Sequence, residues 1–360
     1  MSKYKVSVYA ICKNEEKFVD RWYESMKEAD EICVLDTGSD DGSVKKLKEK
    51  GVIVSSCVIN PWRFDVARNK SLELVSSDTD ICVCTDLDEL FEPGWREKLE
   101  KYWEKDTTRG IYNYNWSFDK NNNPAVSFYI EKMHSRNDYQ WTHPIHEVLS
   151  YCGRGCEKRT FIDEITVNHY PDNNKSRSSY LPLLELSVEE SPNDDRNMHY
   201  LGREYMYYKM WDKSIETLKR HLDLPTATWK DERSASMRFI ARCYRNLGKL
   251  NLSRIWLEKA ISETPYLREP LVEMGMLEYN ENNYKDAIIY LEKALEIKDR
   301  YKSYINEPFC YDATIYDLLS ICKYYVGDYK DSLYYIVKAL KIDSNNERFI
   351  NNKKIIEEKI

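Results

Sequence analysis

A repeat of 34 residues in the second half of the chain constrains the fold more than any other feature of the sequence. The stretch 248–260 recurs 34 residues later as 282–294, and more loosely, after an insertion of 11 residues, as 327–339. A fainter copy surrounds Trp211. Each copy has the spacing of two helices that cross at small residues, and one such pair cannot bury its apolar face alone. We therefore expect residues 191–360 to form an all-α solenoid, with most of its Tyr and Leu side chains in the core.

The first half of the chain has a different pattern. Short apolar runs at 5–11, 31–35, 52–58 and 81–85 alternate with helical spacing at 18–29, 43–50 and 65–74. This alternation is typical of βαβ units and a mostly parallel sheet. Shorter β-like runs at 111–118, 127–133 and 166–169 predict an irregular or antiparallel continuation. The sequence therefore predicts an α/β domain over 1–175 and a connecting linker or helix over 176–190, with the Asn- and Ser-rich stretch 172–179 as the linker itself.

The composition limits the class of protein. The 360 residues are 42% hydrophobic and 32% charged, which is typical of globular chains. A formal net charge of −7 argues against an electrostatic nucleic-acid binder. No apolar run reaches the roughly 20 residues that span a bilayer, and we expect a cytoplasmic protein. The ten cysteines form no disulfide framework, and the pair Cys152 and Cys156 lacks a second Cys or His pair at zinc-site spacing.

Two aspartates follow the fourth predicted strand directly. Asp86 and Asp88 have the spacing that aims two side chains the same way from an extended chain, at the strand end where open α/β sheets bind ligands. Their carboxylates could hold a hard divalent ion. Asp78 and Asp80 have the same spacing but precede the strand, so we expect a solvated turn there. Turn formation is also the alternative for Asp86 and Asp88.

Two further residues are candidates for ligand contacts. Asp36 ends the second predicted strand and opens a turn rich in Asp and Gly, where it could accept hydrogen bonds from a base or a ribose. The alternative is that the turn only caps the next helix. Arg68 lies on the helix before the Asp86 strand and could reach a phosphate, or it could simply face solvent.

A series of short motifs follows along the chain, at residues 13–15, 35–43, 67–69, 85–89, 141–149 and 167–171. In this order and spacing, and followed by tetratricopeptide-like repeats, they resemble the motifs of bacterial family 2 glycosyltransferases with the Rossmann-related GT-A fold. The resemblance covers essentially the whole chain and includes the peptide S-glycosyltransferases that modify bacteriocins.

The resemblance implies roles on the donor side. Asp36 would contact the uracil or ribose of a UDP-sugar, and Arg68 the nucleotide or its diphosphate. Asp86 and Asp88 would bind the ribose and the metal-bridged diphosphate. Thr37 stands where the wider family often has Asp, which leaves base recognition to Asp36.

The resemblance also implies a metal ligand and a base. His169 would be a further metal ligand beside Asp88, and Glu147 the general base that takes the acceptor proton. A histidine ligand favours Mn²⁺ over Mg²⁺. The alternatives are a strand-end histidine with satisfied hydrogen bonds, and a structural carboxylate paired with an arginine such as Arg136 or Arg154.

Three functions follow as hypotheses. The first is a metal-dependent inverting transferase that moves a hexose or N-acetylhexosamine from a UDP-sugar to a peptide or protein, or alternatively to a cell-surface glycan or lipid-linked acceptor. The second is a sugar nucleotidyltransferase, which the glycine-free stretch 10–16 disfavours. The third is a scaffold with an inactive sheet domain. The repeats could dock the acceptor and also form a homodimer.

Overall fold

The computed structural model describes residues 3–172 and 178–360. The chain forms two compact units, the first comprising residues 1–187 with Lys302–Tyr304, and the second Val188–Tyr301 with Ile305–Ile360. We call them the sheet unit and the repeat unit. Residues 173–177 of the predicted linker lie outside the described residues, and the stretch that follows begins a helix at Tyr180.

The sheet unit contains strands and helices in alternation up to its fourth strand. Its strands are β1 Val6–Cys12, β2 Glu31–Asp36, β3 Ile53–Ser56, β4 Ile81–Thr85, β5 Glu89–Phe91, β6 Arg109–Phe118, β7 Pro124–Ser135, β8 Tyr139–Thr142, β9 Val148–Tyr151 and β10 Arg159–His169. Its helices are α1 Glu16–Met26, α2 Ser43–Glu49, α3 Phe64–Glu73 and α4 Trp95–Tyr102, and α5 Tyr180–Glu190 follows.

One mixed sheet forms the centre of this unit, with strand order β3-β2-β1-β4-β7-β6-β10-β5. Strands β3, β2, β1 and β4 run parallel, β7 runs antiparallel to both of its neighbours, and β6 is parallel to β10. The predicted mostly parallel α/β fold is thus confirmed. The predicted continuation is only partly antiparallel, because β6 and β10 pair side by side in the same direction.

The centre of the sheet is buried on both faces. All five residues of β4 are buried, and β1 has one partly exposed position. A strand that is covered on both faces needs a continuous apolar run, which explains why the strand predictions were sharpest here. The last residue of β4 is Thr85, so Asp86 and Asp88 emerge where the strand leaves the core.

The repeat unit consists of antiparallel helix pairs. Its helices are α6 Asp195–Tyr207, α7 Trp211–Asp223, α8 Lys230–Asn246, α9 Leu250–Glu263, α10 Arg268–Asn280, α11 Tyr284–Glu296, α12 Thr314–Tyr325, α13 Tyr329–Ile342 and α14 Glu347–Glu357, with a 3-10 turn at Pro308–Cys310. The predicted all-α solenoid is confirmed.

The turn inside each of the first four helix pairs uses the same backbone conformation. Lys209, Gly248, Asn282 and Gly327 have φ values of 59°, 71°, 62° and 84°. This left-handed region favours glycine and tolerates asparagine, which explains the sequence signature of the repeat. Among the described residues, no helix combines the length and the apolar composition that crossing a membrane requires.

Candidate active site

Asp86 lies in a network of buried charges at the end of β4. Its carboxylate accepts hydrogen bonds from Arg68 Nη2 at 2.9 and 3.1 Å and from Lys132 Nζ at 3.1 Å. Burial alone would raise the pKa of Asp86, but the two cations outweigh it and hold the pKa well below its ordinary value. Asp86 is therefore ionised and held in place by charge.

Arg68 connects the two ends of the predicted site. Arg68 is only 4% exposed, so the alternative that it faces solvent is wrong. While Nη2 holds Asp86, Nε donates to Glu147. Burial alone would lower the pKa of Arg68, but the two carboxylates raise it well above its ordinary value. A residue predicted to contact the donor thus also positions the predicted base.

Glu147 lies on the loop between β8 and β9, and this loop is fastened to α3. Phe64 N–H donates to Pro144 O at 2.9 Å, and Asn69 exchanges hydrogen bonds of 2.9 Å with the backbone of Trp141. The Glu147 side chain is 12% exposed. The alternative to a general base was a structural carboxylate paired with Arg136 or Arg154. Glu147 is indeed paired with an arginine, but that arginine is Arg68.

Asp88 faces a histidine from the other end of the domain. His169 Nε2 lies 3.4 Å from Asp88 Oδ2, and Nδ1 lies 3.1 Å from the backbone oxygen of Trp116. A carbonyl only accepts, so Nδ1 carries a hydrogen. In the neutral ring the lone pair then lies on Nε2, beside the carboxylate, and in the protonated ring Nε2–H points at Asp88. This is the arrangement of a metal-binding histidine. The pair predicted from the resemblance therefore fits a divalent ion.

The surroundings of His169 hold it firmly. Its ring stacks on the Trp116 ring, with the two ring centroids 4.4 Å apart. Burial alone would lower the pKa of His169, but the Asp88 carboxylate raises it above its ordinary value. A groove of about 600 Å³ lies beside it, with Lys17 and Arg21 in its wall. The groove is large enough for part of a substrate.

Asp36 stands at the end of β2, with its carboxylate directed into its own turn. It accepts hydrogen bonds from the N–H groups of Gly38 at 3.3 Å and Ser39 at 3.1 Å. Gly38 has a φ of 105°, a conformation that glycine adopts most easily. These hydrogen bonds close the turn itself and do not cap α2, and a nucleotide contact by Asp36 stays a prediction.

One cation of the charge network, Lys132, was missed from the sequence. Lys132 on β7 binds Glu89 Oε1 at 2.7 Å in addition to Asp86, and Tyr114 Oη donates to the same Glu89 oxygen at 2.9 Å. Burial raises the pKa of Glu89 above its ordinary value. A lysine on a sheet strand was the available signal, but its partners lie 43 and 46 residues away along the chain.

The control pair behaves as expected. Asp78 has its side chain 73% exposed and pairs with Lys5 at 2.5 Å, and Asp80 accepts from the Lys5 backbone N–H at 2.8 Å. The same spacing therefore gives a surface turn before β4 and a charged site after it.

Comparisons with known proteins agree with this division. Residues 7–159 match the model of glycosyl transferase family 2. The sheet unit is a family 2 glycosyltransferase domain. Residues 239–266 and 269–301 match the tetratricopeptide repeat model, which confirms the repeat assignment. No curated protein matches the chain. The match supports glycosyltransferase activity. Proteins of family 2 generally use a nucleotide sugar and a divalent metal.

Several solved structures resemble the repeats. The Cut9–Hcn1 hetero-tetramer of the APC/C matches with 16% identity and a TM-score of 0.40, over 50% of this chain and 33% of that one. MamA matches with 17% identity and a TM-score of 0.38, over 50% of this chain and 99% of MamA. The C-terminal part of a repeat protein from Cytophaga hutchinsonii matches with 18% identity and a TM-score of 0.41, over 49% of this chain and 65% of that one. The chain spans about a third of the first of these. With TM-scores below 0.5, they add nothing to the repeat assignment.

Proposed function

We propose that the chain is a metal-dependent, inverting glycosyltransferase that moves a hexose or an N-acetylhexosamine from a UDP-sugar to a peptide or protein. The observation that carries the proposal is the Arg68 guanidinium, which binds Asp86 on one side and Glu147 on the other. It fixes the candidate base relative to the strand end where the donor is expected.

Each residue then has a role in the proposal. Asp88 and His169 would hold a divalent ion, which would supply Lewis-acid stabilisation of the departing diphosphate. Asp86 and Asp36 bind the ribose and the base of the nucleotide. Glu147 takes the proton of the acceptor from the face opposite the leaving group, as inversion requires. Its contact with Arg68 engages Oε1 and fixes its orientation.

The repeat unit supplies the acceptor side in this proposal. Tetratricopeptide repeats are protein-interaction modules, which favours a peptide or protein over the alternative glycan or lipid-linked acceptor. Binding through this unit would also permit a homodimer.

The test is metal-dependent release of UDP from a panel of UDP-sugars, with or without acceptor. We expect turnover with Mn²⁺ or Mg²⁺, and a loss of at least about 100-fold in Asp88→Asn, because one metal ligand is removed. Asp78→Asn is the matched control, with equal chemistry and spacing on the other side of β4, and should be unchanged. Full turnover in Asp88→Asn would remove the metal assignment, and no turnover in the wild type with any donor would favour the scaffold alternative.

A further inference from the structure

The repeat unit contains a second set of metal-ligating side chains, which the proposed transferase site does not use. Among the described residues, Asp195, His221 and Glu232 have one ligand atom each within 4.8 Å of the others. Asp195 lies in the first turn of α6, His221 in the last turn of α7 and Glu232 in the first turn of α8. Three helix ends therefore converge on one point.

His221 is the member of this set that points to a ligand. Its side chain is 0% exposed, and its Nε2 lies 3.4 Å from Glu232 Oε1. Within the part of the chain that the structure describes, this Nε2 makes no hydrogen bond. A buried ring nitrogen that makes no hydrogen bond and lies beside a buried carboxylate is the kind of polar atom that a bound ion would satisfy.

The other side of the His221 ring is held by a hydroxyl. Ser236 Oγ lies 3.0 Å from His221 Nδ1 and 2.7 Å from His199 Nδ1. A hydroxyl has one hydrogen, so it donates to at most one of the two imidazoles and accepts from at least one of them. When His221 Nδ1–H donates to Ser236, the lone pair of His221 lies on Nε2, as in a metal ligand.

We propose that His221 Nε2 and the carboxylates of Asp195 and Glu232 bind a divalent transition-metal ion of the Zn²⁺ type. Two tetrahedral ligands at about 2.1 Å from one ion are separated by about 3.4 Å, which is the observed distance from Nε2 to Glu232 Oε1. An imidazole with two carboxylates suits a borderline ion better than Mg²⁺ or Ca²⁺. Asp195 is only partly buried, which leaves a path for the ion from solvent.

The ion would join the first helix pair of the repeat unit to the next. It would bridge α6, α7 and α8 at one end, and because it binds only the folded unit, it would raise the stability of that unit. A competing explanation accounts for the cluster without a metal. In it, a protonated Nε2 of His221 pairs with Glu232, and the two carboxylates lie at the N-termini of α6 and α8 because the helix dipoles stabilise negative charge there. That explanation predicts no bound metal.

The experiment uses the full chain with Asp88→Asn, so that the proposed transferase site contributes little metal binding. After stripping with a chelator, the chain is titrated with Zn²⁺ against a chromophoric competitor, and with Co²⁺ for its visible spectrum. We expect one equivalent bound and a rise in the melting temperature with Zn²⁺. Adding Asp195→Asn should weaken binding by about 10- to 100-fold and remove the rise.

Two further variants complete the test. Asp212→Asn, which changes an exposed acid in the first turn of α7, should bind as the parent does. Glu232→Gln should lose binding as Asp195→Asn does, and if it fails to fold, the variant of the partly exposed Asp195 still decides the result. Absence of bound metal in the Asp88→Asn chain, or unchanged affinity in Asp195→Asn, would overturn the proposal. Neither outcome bears on UDP release by the wild type.

Discussion

The sheet unit and the repeat unit both bury arginine among carboxylates, but in different parts of their folds. Arg68 reaches Glu147, 79 residues away along the chain, and Asp86, 18 residues away. Arg238 reaches Glu273 at 2.7 Å, 35 residues away along the chain, and Glu307 at 3.4 Å, 69 residues away. The first network lies at the end of a sheet strand, whereas the second lies between the helices of the repeat unit.

The difference separates a site from a packing contact. At the sheet end, two cations face three carboxylates, and Asp88 and His169 lie close by. Such a cluster at the ligand-binding edge of an α/β sheet is a candidate for function. In the repeat unit, Arg238 and Glu273 instead join helices α8 and α10. Buried charge alone therefore does not identify the candidate site. The position of the charge cluster in the fold is what identifies it.

The largest expected effect is that of Arg68→Met. The substitution leaves the carboxylates of Asp86 and Glu147 without their arginine, which costs about 3–5 kcal/mol in the free energy of unfolding. Arg238→Met should cost a similar amount, because its side chain is 1% exposed and pairs with Glu273. Denaturant unfolding of the full chain measures both.

The two variants should differ in activity. Arg68→Met should lose UDP release even at temperatures where it is folded, whereas Arg238→Met should retain hydrolysis of the donor. Equal loss of UDP release in both variants would break the distinction between site and packing contact.

The next largest effect is on the pH dependence of stability, and it compares the buried His134 with a glutamine in its place. Burial lowers the pKa of His134 in the sheet unit to about 3, against about 6.5 in the unfolded chain. Between these values only the unfolded state binds the proton, so stability is lost as the pH falls from 6.5. The loss is about 1.4 kcal/mol per pH unit. His134→Gln should be less stable at neutral pH, because Tyr9 Oη loses its ring partner at 2.8 Å, but its stability should fall less steeply. Equal slopes between pH 6 and 5 would contradict the assignment.

The smallest effect belongs to the turn of the first helix pair. Lys209 has a φ of 59°, where two of the equivalent turns use glycine. Lys209→Gly should therefore stabilise the repeat unit by about 0.5–1 kcal/mol, and Gly248→Lys should destabilise it by a similar amount. Thermal unfolding of both variants checks this, and a destabilised Lys209→Gly would show that the turns are not equivalent.

The fold was largely predictable because its signals are local. Strand β4 was predicted with its observed ends, since a run buried on both faces is apolar throughout. The helix pairs followed from their period. The short strands β5, β8 and β9 were missed, because three or four residues give too little pattern.

The site was predictable only where the motif itself contains the chemistry. Asp86 and Asp88 could be found from their place after a strand, and His169 and Glu147 came from the resemblance. Lys132 could not be found, because only the antiparallel pairing of β7 with β4 brings it to Asp86. The cluster around His221 was missed for the same reason, since three helix ends meet there that no short motif connects.

The central claim is that Asp88 acts on the donor and metal side while Glu147 acts only in transfer. Calorimetric titration of UDP in the presence of Mn²⁺, into the wild type and both variants, tests it most directly. The account predicts that the wild type and Glu147→Gln bind UDP with similar affinity, because the amide oxygen can still accept from Arg68, and that Asp88→Asn binds at least about 10-fold more weakly. Unchanged affinity in Asp88→Asn, or lost affinity in Glu147→Gln alone, would contradict it.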